Sequence, residues 1–223
     1  NDAPAINAAN NEATHEDAEI NGEVTASDVD NDALTFTLND PVEGFTLNAN
    51  GTWSFDPSGE VYQRLNGGDP AQSIPLTISY TVSDGNASDT DSFEIEVTGV
   101  NDNPVATFLD PDHTQTITED EPQLLTDTLT ATDVDVGNEL SFSQRNNVAG
   151  FTLEPNGDWT FNSGDQAYQD IAIGDTRNVV IEYTVSDDRG GSDTDARFSI
   201  VVNGANDAPA INAANNEATH EDA

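Results

Sequence analysis

The chain has 223 residues, with 43 acidic residues, five Lys or Arg residues and no cysteine, so its formal net charge is −38 at pH 7. Such a charge repels nucleic acid and anionic membrane surfaces, which excludes both as partners, and the absence of cysteine excludes disulfide bonds. A strongly acidic chain is either disordered or uses its carboxylates to hold hard cations. Its hydrophobic residues, 35% of the total, form short alternating runs such as LTFTL and ISYTV, which favours a folded protein rich in strands.

In chain order, alternation of apolar and polar residues predicts seven strands in the first hundred residues. They span residues 5–13, 20–27, 34–38, 45–48, 52–55, 78–83 and 93–98. Asn50-Gly51, between the fourth and fifth strands, predicts a type I′ hairpin because both residue types tolerate positive φ. Residues 57–73 form a longer segment with a helical turn predicted at residues 61–65. Seven short alternating strands favour an immunoglobulin-like β-sandwich.

Large aromatic residues stand at alternate positions of two predicted strands. Trp53 and Phe55 share one face of the fifth strand, and Tyr80 and Val82 share one face of the sixth. Alternate apolar positions usually point into the core, so we interpret all four as core residues rather than as platforms for sugar stacking. We expect the buried tyrosine hydroxyl to find a backbone partner.

The chain contains two diverged copies of one domain of roughly 100 residues, a common domain size. The matching pairs of stretches include GFTLNANGTWSF from residue 44 with GFTLEPNGDWTF from residue 150, and ISYTVSD from residue 78 with IEYTVSD from residue 181. We therefore predict one domain over residues 1–102 and a second over residues 103–205.

A second period is seen in residues 206–223, which are identical to residues 1–18. Self-similarity at a fixed spacing is typical of tandem arrays. We expect these residues to be the first strand of a third, partial repeat in a longer protein. In another register, with the structural domain starting near residue 19, the same residues would complete the second domain. No apolar run is long enough to span a bilayer and no signal peptide is visible, so we expect no membrane insertion of this stretch.

Three acidic motifs recur in both copies, and the strand order places them at opposite ends of each sandwich. The N-terminal end carries the DVD loop (with Asp28 and Asp30, or Asp133 and Asp135) and the SD loop (with Asp84, or Asp187 and Asp188), whereas Glu-Asp after the first strand falls at the C-terminal end. An NDNP linker lies between the copies. We therefore expect six carboxylates and two amides at the junction: Glu16, Asp17, Asn101, Asp102, Asn103, Asp133, Asp135 and Asp187.

The same motifs at the outer ends of the copies supply further candidate metal ligands. These are Asp2, Asp28, Asp30, Asp84, Glu119, Asp120, Asn206 and Asp207. Acidic loops are usually only solvated, but like charges a few ångströms apart repel one another without a cation. Calcium accepts six to eight oxygen ligands in flexible geometry, whereas magnesium requires a tight octahedron and zinc prefers Cys and His. The motifs therefore predict Ca²⁺ as the cofactor.

The NDNP linker, the DVD motif and the acidic residue after the first strand resemble the interdomain calcium motifs of cadherin repeats. The stretches GFTLNANGTWSF and YTVSDGNASDTDSFEIEVTGVNDNP are similar to the cadherin-like or VCBS repeats of large bacterial RTX adhesins. The resemblance covers nearly the whole chain and implies an all-β fold of tandem immunoglobulin- or cadherin-like sandwiches, end to end. Cadherins carry a further acidic ligand motif, for which only Glu60 or Asp69, and Asp165 or Asp175 in the second copy, are available here.

The resemblance further implies a calcium-rigidified extender of a bacterial surface adhesin, extracellular and monomeric, that holds an adhesive domain away from the cell in attachment or biofilm formation. Its partners would be calcium ions and adjacent repeats of the same chain. The alternative is a carbohydrate- or protein-binding adhesin domain. An enzyme is not expected, because no catalytic constellation stands out. Ice binding, suggested by TLTAT at residues 128–132, is disfavoured because the first copy lacks that stretch.

Overall fold

The computed structural model describes residues 1–68, 70–107, 115–121 and 124–209, which form two β-sandwiches in tandem. The first repeat consists of β1 (Ala5–Asn7), β2 (Glu12–His15), β3 (Ile20–Glu23), β4 (Thr25–Ser27), β5 (Thr35–Leu38), β6 (Phe45–Leu47), β7 (Thr52–Phe55), α1 (Glu60–Gln63), β8 (Ser73–Ser83) and β9 (Ser88–Thr98). The second repeat consists of β10 (Val105–Ala106), β11 (Gln115–Thr118), β12 (Leu125–Thr128), β13 (Ala131–Thr132), β14 (Ser141–Gln144), β15 (Phe151–Leu153), β16 (Asp158–Phe161), β17 (Thr176–Ser186), β18 (Ser192–Asp193) and β19 (Arg197–Asn203). The prediction of an all-β tandem sandwich is confirmed.

Each repeat packs a larger sheet against a smaller one. In the first repeat the strand orders are β2-β9-β8-β5 and β3-β7-β6, and β1 pairs with β4. The second repeat has β11-β19-β17-β14, with β18 on β17, and β12-β16-β15, and β10 pairs with β13. In both repeats an N-terminal strand, β2 or β11, runs parallel to the last strand. This parallel pairing carries the residue after β2 or β11 to the end of the sandwich where the last strand leaves.

The first two predicted strands are each divided, because the chain changes sheets within them. Residues 5–7 form β1 on β4, and residues 12–15 then cross to β9 as β2. The second strand breaks at Val24, which is buried and whose N–H donates to the Gly51 carbonyl at 2.9 Å. By contrast, β8 and β9 are longer than predicted, since their antiparallel ladder runs without interruption from Ser73 and Thr98 to Ser83 and Ser88.

The hairpin at Asn50-Gly51 differs from the predicted type I′ turn. Gly51 has a φ of 93°, but Asn50 does not have a positive φ. The Gly51 N–H donates to Asn48 O at 2.9 Å, and the Asn48 N–H donates to Thr52 O at 2.8 Å. This is a three-residue loop made of a type I turn and a glycine bulge. The Asn50 side chain supports it by accepting the Thr52 N–H at 3.2 Å.

An aromatic cluster fills each sandwich. The ring centroids of Trp53 and Phe93 lie 5.4 Å apart, and those of Trp159 and Phe198 lie 5.1 Å apart. The interpretation of the alternate aromatics as core residues is therefore confirmed. The expected hydroxyl partners are not found, because Tyr80 and its counterpart in the second repeat have buried hydroxyls without a hydrogen-bond partner among the described residues. Burial and nearby aspartates raise the pKa of both tyrosines.

We expect Gly51→Ala to destabilise the first repeat by about 2–3 kcal/mol, because positive φ is strained for alanine and the new β-carbon would lie 2.3 Å from the Val24 carbonyl oxygen. Gly85→Ala is the matched control: Gly85 has a φ of 94° but no atom within 4 Å of the added carbon, so its cost is the strain alone, about 1 kcal/mol. Urea unfolding followed by tryptophan fluorescence measures both. Equal losses would show that the overlap with Val24 relaxes freely.

Candidate metal centre at the junction of the repeats

Glu16 is the first residue after β2 and is only 1% exposed. Its N–H donates to Thr98 O at 3.1 Å, which extends the parallel pairing with β9 by one residue. Its side chain then turns under the end of β9, where Oε1 accepts the Val100 N–H at 2.7 Å. Gln63 at the end of α1 donates to the Glu16 carbonyl at 2.9 Å. Three segments thus fix a carboxylate at the C-terminal end of the first repeat.

Asp135 enters the junction from the DVD loop of the second repeat and is 4% exposed. Its own N–H donates to Asp133 Oδ1 at 2.9 Å, which bends the loop so that both side chains stay on one side of it. Asp135 Oδ2 accepts the Asp102 N–H of the linker at 2.8 Å. The linker and the second repeat are therefore joined at the point where Glu16 arrives from the first repeat.

Glu16, Asp102 and Asp135 form one cluster, in which a carboxylate oxygen of each lies within 4.8 Å of the others. Within the described residues, Glu16 Oε2, Asp102 Oδ2 and Asp135 Oδ1 are buried and have no hydrogen-bond partner. Buried polar atoms normally have partners. Three unpartnered carboxylate oxygens in one place are the arrangement expected of cation ligands.

Repulsion in this cluster is substantial. Two unit charges at this distance repel by roughly 3 kcal/mol at an effective dielectric constant near 20. The ion pairs in the described part of the chain involve Asp30, Asp170 and Asp188, so none of them neutralises the cluster. A divalent cation would supply the missing positive charge.

The pKa values respond to this environment. Burial raises the pKa of Glu16 to about 7, against the hydrogen bond from Val100, and the charges of Asp135, Asp102 and Asp17 act in the same direction as burial. Burial also raises the pKa of Asp102, with help from Asp17 and Asp133. Asp135 is raised mainly by burial too. Asp17 and Asp133, both predicted at the junction, are therefore close enough to influence the cluster although they lie outside its tightest group.

Asp187 differs from the clustered carboxylates because hydrogen bonds lower its pKa. Burial favours a higher pKa, but hydrogen bonds from the Asn101 side chain at 2.9 Å and from backbone N–H groups of the SD loop lower it. Asn101 also donates to the Asp102 carbonyl at 3.0 Å, and Asn103 Oδ1 accepts the Ser192 N–H at 3.0 Å. Asp187, Asn101 and Asn103 thus anchor the linker on the second repeat.

The N-terminal end of the first repeat has the same hydrogen bonds as the linker at the junction. The Asp2 N–H donates to Asp30 Oδ2 at 2.8 Å, and Asn1 donates to Asp84 Oδ2 at 2.9 Å. Hydrogen bonds from the Ala87 N–H, Asn1 and the Asn86 N–H lower the pKa of Asp84. A second acidic group lies here, formed by Asp28, Asp30 and Asp32. Sequence reasoning missed Asp32, although it directly extends the motif to DVDND.

The C-terminal end of the second repeat repeats the arrangement around Glu16. Glu119 is 1% exposed, its Oε1 accepts the Ala205 N–H at 2.6 Å, and its Oε2 has no partner among the described residues. Asp120 is exposed, with a φ of 64°. Asn206 donates to the Asp207 carbonyl at 3.3 Å, as the equivalent asparagine does in the NDNP linker. The described ends of the two repeats therefore carry corresponding acidic residues.

The candidate metal ligands in the longer segment, residues 57–73, are not part of the cluster in the described residues. Glu60 is exposed on α1 and is not in the cluster, and Asp69 lies outside the described residues. Sequence reasoning missed Asn66, a buried side chain of this segment whose amide donates to the Asn138 side chain across the junction. Its carboxamide carries no charge, so no acidic pattern could have indicated it.

Comparison with known proteins agrees with the fold. A family model described as the bacterial cadherin-like domain matches residues 1–99 and again residues 101–204. The structure is similar to human protocadherin-24 EC1-2 (Form II), with 18% identity, a TM-score of 0.58 and coverage of 92% of this chain and 100% of that one. It is also similar to Drosophila N-cadherin EC1-4, with 19% identity, a TM-score of 0.51 and coverage of 87% and 49%. No curated protein matches this chain.

The structural similarity establishes a shared fold with these cadherin structures. Within the described residues, no helix has the length and apolar character needed to cross a bilayer. Cadherin-like domains are adhesion or structural modules rather than enzymes. Since the family model accounts for both sandwiches, the chain belongs to the bacterial cadherin-like domain family.

Proposed function

We propose that calcium ions shared between the two repeats hold them in line, and that the chain is a rigid extender of a bacterial surface adhesin. The observation that carries this proposal is the cluster of Glu16, Asp102 and Asp135, because each residue comes from a different rigid part of the chain. A cation bound to all three would connect the first repeat, the linker and the second repeat. Their all-oxygen donor set disfavours zinc, and calcium accepts irregular oxygen geometry more readily than magnesium does.

Calcium would contribute charge and connectivity rather than chemistry. The residues proposed to hold it are the three clustered carboxylates, with Asp17 and Asp133 beside them. When it is absent, repulsion among these groups pushes the repeats apart. Extracellular calcium modules need dissociation constants of only about 10⁻⁴–10⁻³ M. The proposed setting is therefore outside a bacterial cell, where a monomeric chain of such repeats holds an adhesive domain at a distance during attachment or biofilm formation.

The alternative of a carbohydrate-binding domain finds less support. Trp53 and Trp159 are 5% and 1% exposed, and both pack among the core aromatics. A stacking platform for a sugar ring requires an exposed aromatic face. A role in the structure of the array is therefore the better explanation of these side chains.

We expect chelation of calcium to bend or loosen the two-repeat unit, because unneutralised carboxylates at the junction repel one another. Small-angle X-ray scattering of the full chain, with millimolar calcium and then with excess chelator, measures this as a smaller and less defined maximum dimension. Magnesium at equal ionic strength serves as the control for general screening. An unchanged scattering profile after chelation would refute the rigid-extender proposal.

Glu16→Gln should weaken the tightest calcium site by about tenfold or more, since it removes a ligand charge while its amide oxygen can still accept the Val100 N–H. Glu119→Gln is the matched control, because Glu119 has the same burial and the same type of backbone bond at the other end of the second repeat. Isothermal titration calorimetry distinguishes the two. Equal affinities for Glu16→Gln and the unmodified chain would exclude Glu16 as a ligand.

The stability of the calcium-free chain should fall as pH rises. The pKa of Glu16 is raised from 4.5 to about 7 on folding, so the folded state binds more protons than the unfolded state between these values. The stabilisation is complete below pH 4.5 and is lost as pH rises through 7. The Glu16→Gln variant has no titrating carboxyl at position 16. Relative to this variant, the free energy of unfolding of the unmodified chain should fall by on the order of 2 kcal/mol, allowing for solvent screening.

Urea unfolding in chelator at pH 4.5, 6 and 8 measures this difference. Comparison with Glu16→Gln removes the general effect of the net charge, since both proteins carry the other 42 acidic residues. Parallel pH curves for the two proteins would show that Glu16 titrates normally, and that the buried cluster imposes no penalty on its charged form.

A further inference from the structure

The two repeats differ in length at several places, and three of these places lie at the junction. The first difference is in the longer segment. Five residues separate Asn66 from Gln72, whose N–H donates to the Asn66 carbonyl at 2.8 Å. In the second repeat only two residues separate Ala172 from Asp175, which are joined by the equivalent bond of 2.9 Å. The first repeat thus has three additional residues at its C-terminal end.

The other two differences at the junction are additional residues in the second repeat. In its DVD loop the positive-φ position is Gly137, preceded by an extra residue, Val136, whereas in the first repeat Asn31 holds the positive φ directly after the motif. In its SD loop four residues lie between Asp187 and the start of β18, against three between Asp84 and the start of β9. Both additions are at the N-terminal end of the second repeat.

All three additions meet at the junction. The Val136 N–H donates to the Arg64 carbonyl at 3.3 Å. The Asn66 amide donates to the Asn138 side chain. Gly68, within the lengthened segment, lies so close to the Arg189 guanidinium of the longer SD loop that a β-carbon would overlap it. These contacts connect the two repeats directly and involve none of the three clustered carboxylates, although Asn138 also donates to the neighbouring Asp133 Oδ2 at 3.1 Å.

We propose that these contacts form a clasp, defined by Arg64, Asn66 and Gly68 on the first repeat and by Val136, Asn138 and Arg189 on the second. We call a repeat with the loop lengths of residues 1–99 a first-type repeat, and one with the loop lengths of residues 101–204 a second-type repeat. The clasp recognises the N-terminal end of a second-type repeat by directional contacts that do not require a cation. It limits the relative rotation of the repeats even when calcium is removed. The proposal goes beyond the calcium-dependent function, and it is tested by a separate outcome of the experiment below.

The clasp cannot form where a second-type repeat precedes a first-type repeat. There the lengthened segment is replaced by the short turn at Ala172, and the DVD and SD loops have their shorter forms. The position of Arg64 is taken by Asp170, and the position of Asn138 by Asp32, so this junction is also richer in carboxylates. In an array with a period of 205 residues, clasped junctions would therefore alternate with junctions held by cations alone.

The clasp can be tested by measuring the distance between two spin labels in the full chain, which has no native cysteine. Thr46→Cys in β6 and Thr152→Cys in β15 place labels at equivalent, exposed positions of the two repeats. The test variant replaces residues 66–72 with the four residues Ala172–Asp175. The matched control makes the reverse exchange, which lengthens the segment at the open end of the second repeat.

In chelator, we expect the test variant to broaden the distance distribution about twofold relative to the unmodified chain, while the control leaves it unchanged. Arg189→Ala, which alters neither core, should broaden it in the same direction. Each variant is first checked by urea unfolding for intact repeats. A distribution in chelator that is unchanged in both test variants would overturn the clasp. If calcium fails to narrow the distribution in the unmodified chain, the calcium proposal fails, but the clasp does not.

Discussion

The electrostatic repulsion among Glu16, Asp102 and Asp135 is the interaction on which the junction depends. Oxygens of all three lie within 4.8 Å of one another, and no ion pair of the described chain offsets their charge. Because the three groups belong to different segments, a change in the relative position of the repeats also changes their separation. Local electrostatics is in this way coupled directly to the shape of the two-repeat unit.

The acidic cluster is built on strand pairing within each repeat. Glu119 is as deeply buried as Glu16 at the corresponding end of the second repeat. The parallel pairing of β2 with β9 and of β11 with β19 places the glutamate at this end in both repeats. At the other end, the DVD loop is already bent by its own hydrogen bonds in both copies. If this cluster binds calcium as proposed, groups already held in place would reduce the ordering cost of binding.

The sequence predicted features that depend on pattern and missed those that depend on packing. Alternation identified the core around Trp53, and the recurring acidic motifs brought Glu16 and Asp135 to one predicted junction. The glycine bulge at Gly51 could not be distinguished from a type I′ turn, because Asn-Gly suits both and the choice depends on Val24 docking against the loop. Asn66 was missed for a related reason: a neutral amide acquires its role only when the second repeat is placed opposite it.

We propose two kinds of interaction at the junction, cation coordination and directional hydrogen bonds, and each provides what the other lacks. Cation coordination by carboxylates is strong but tolerant of geometry, so it removes repulsion without fixing rotation about the long axis. Hydrogen bonds such as that from Val136 to Arg64 are weaker but directional, since they lose energy steeply when misaligned. Rotations about the long axis at successive junctions add along an array, so small angular freedom at each would randomise the orientation of the far end about that axis. In the proposed array, a directional contact at alternate junctions would restrict that freedom at half of them, and the remaining junctions would respond to the supply of cations.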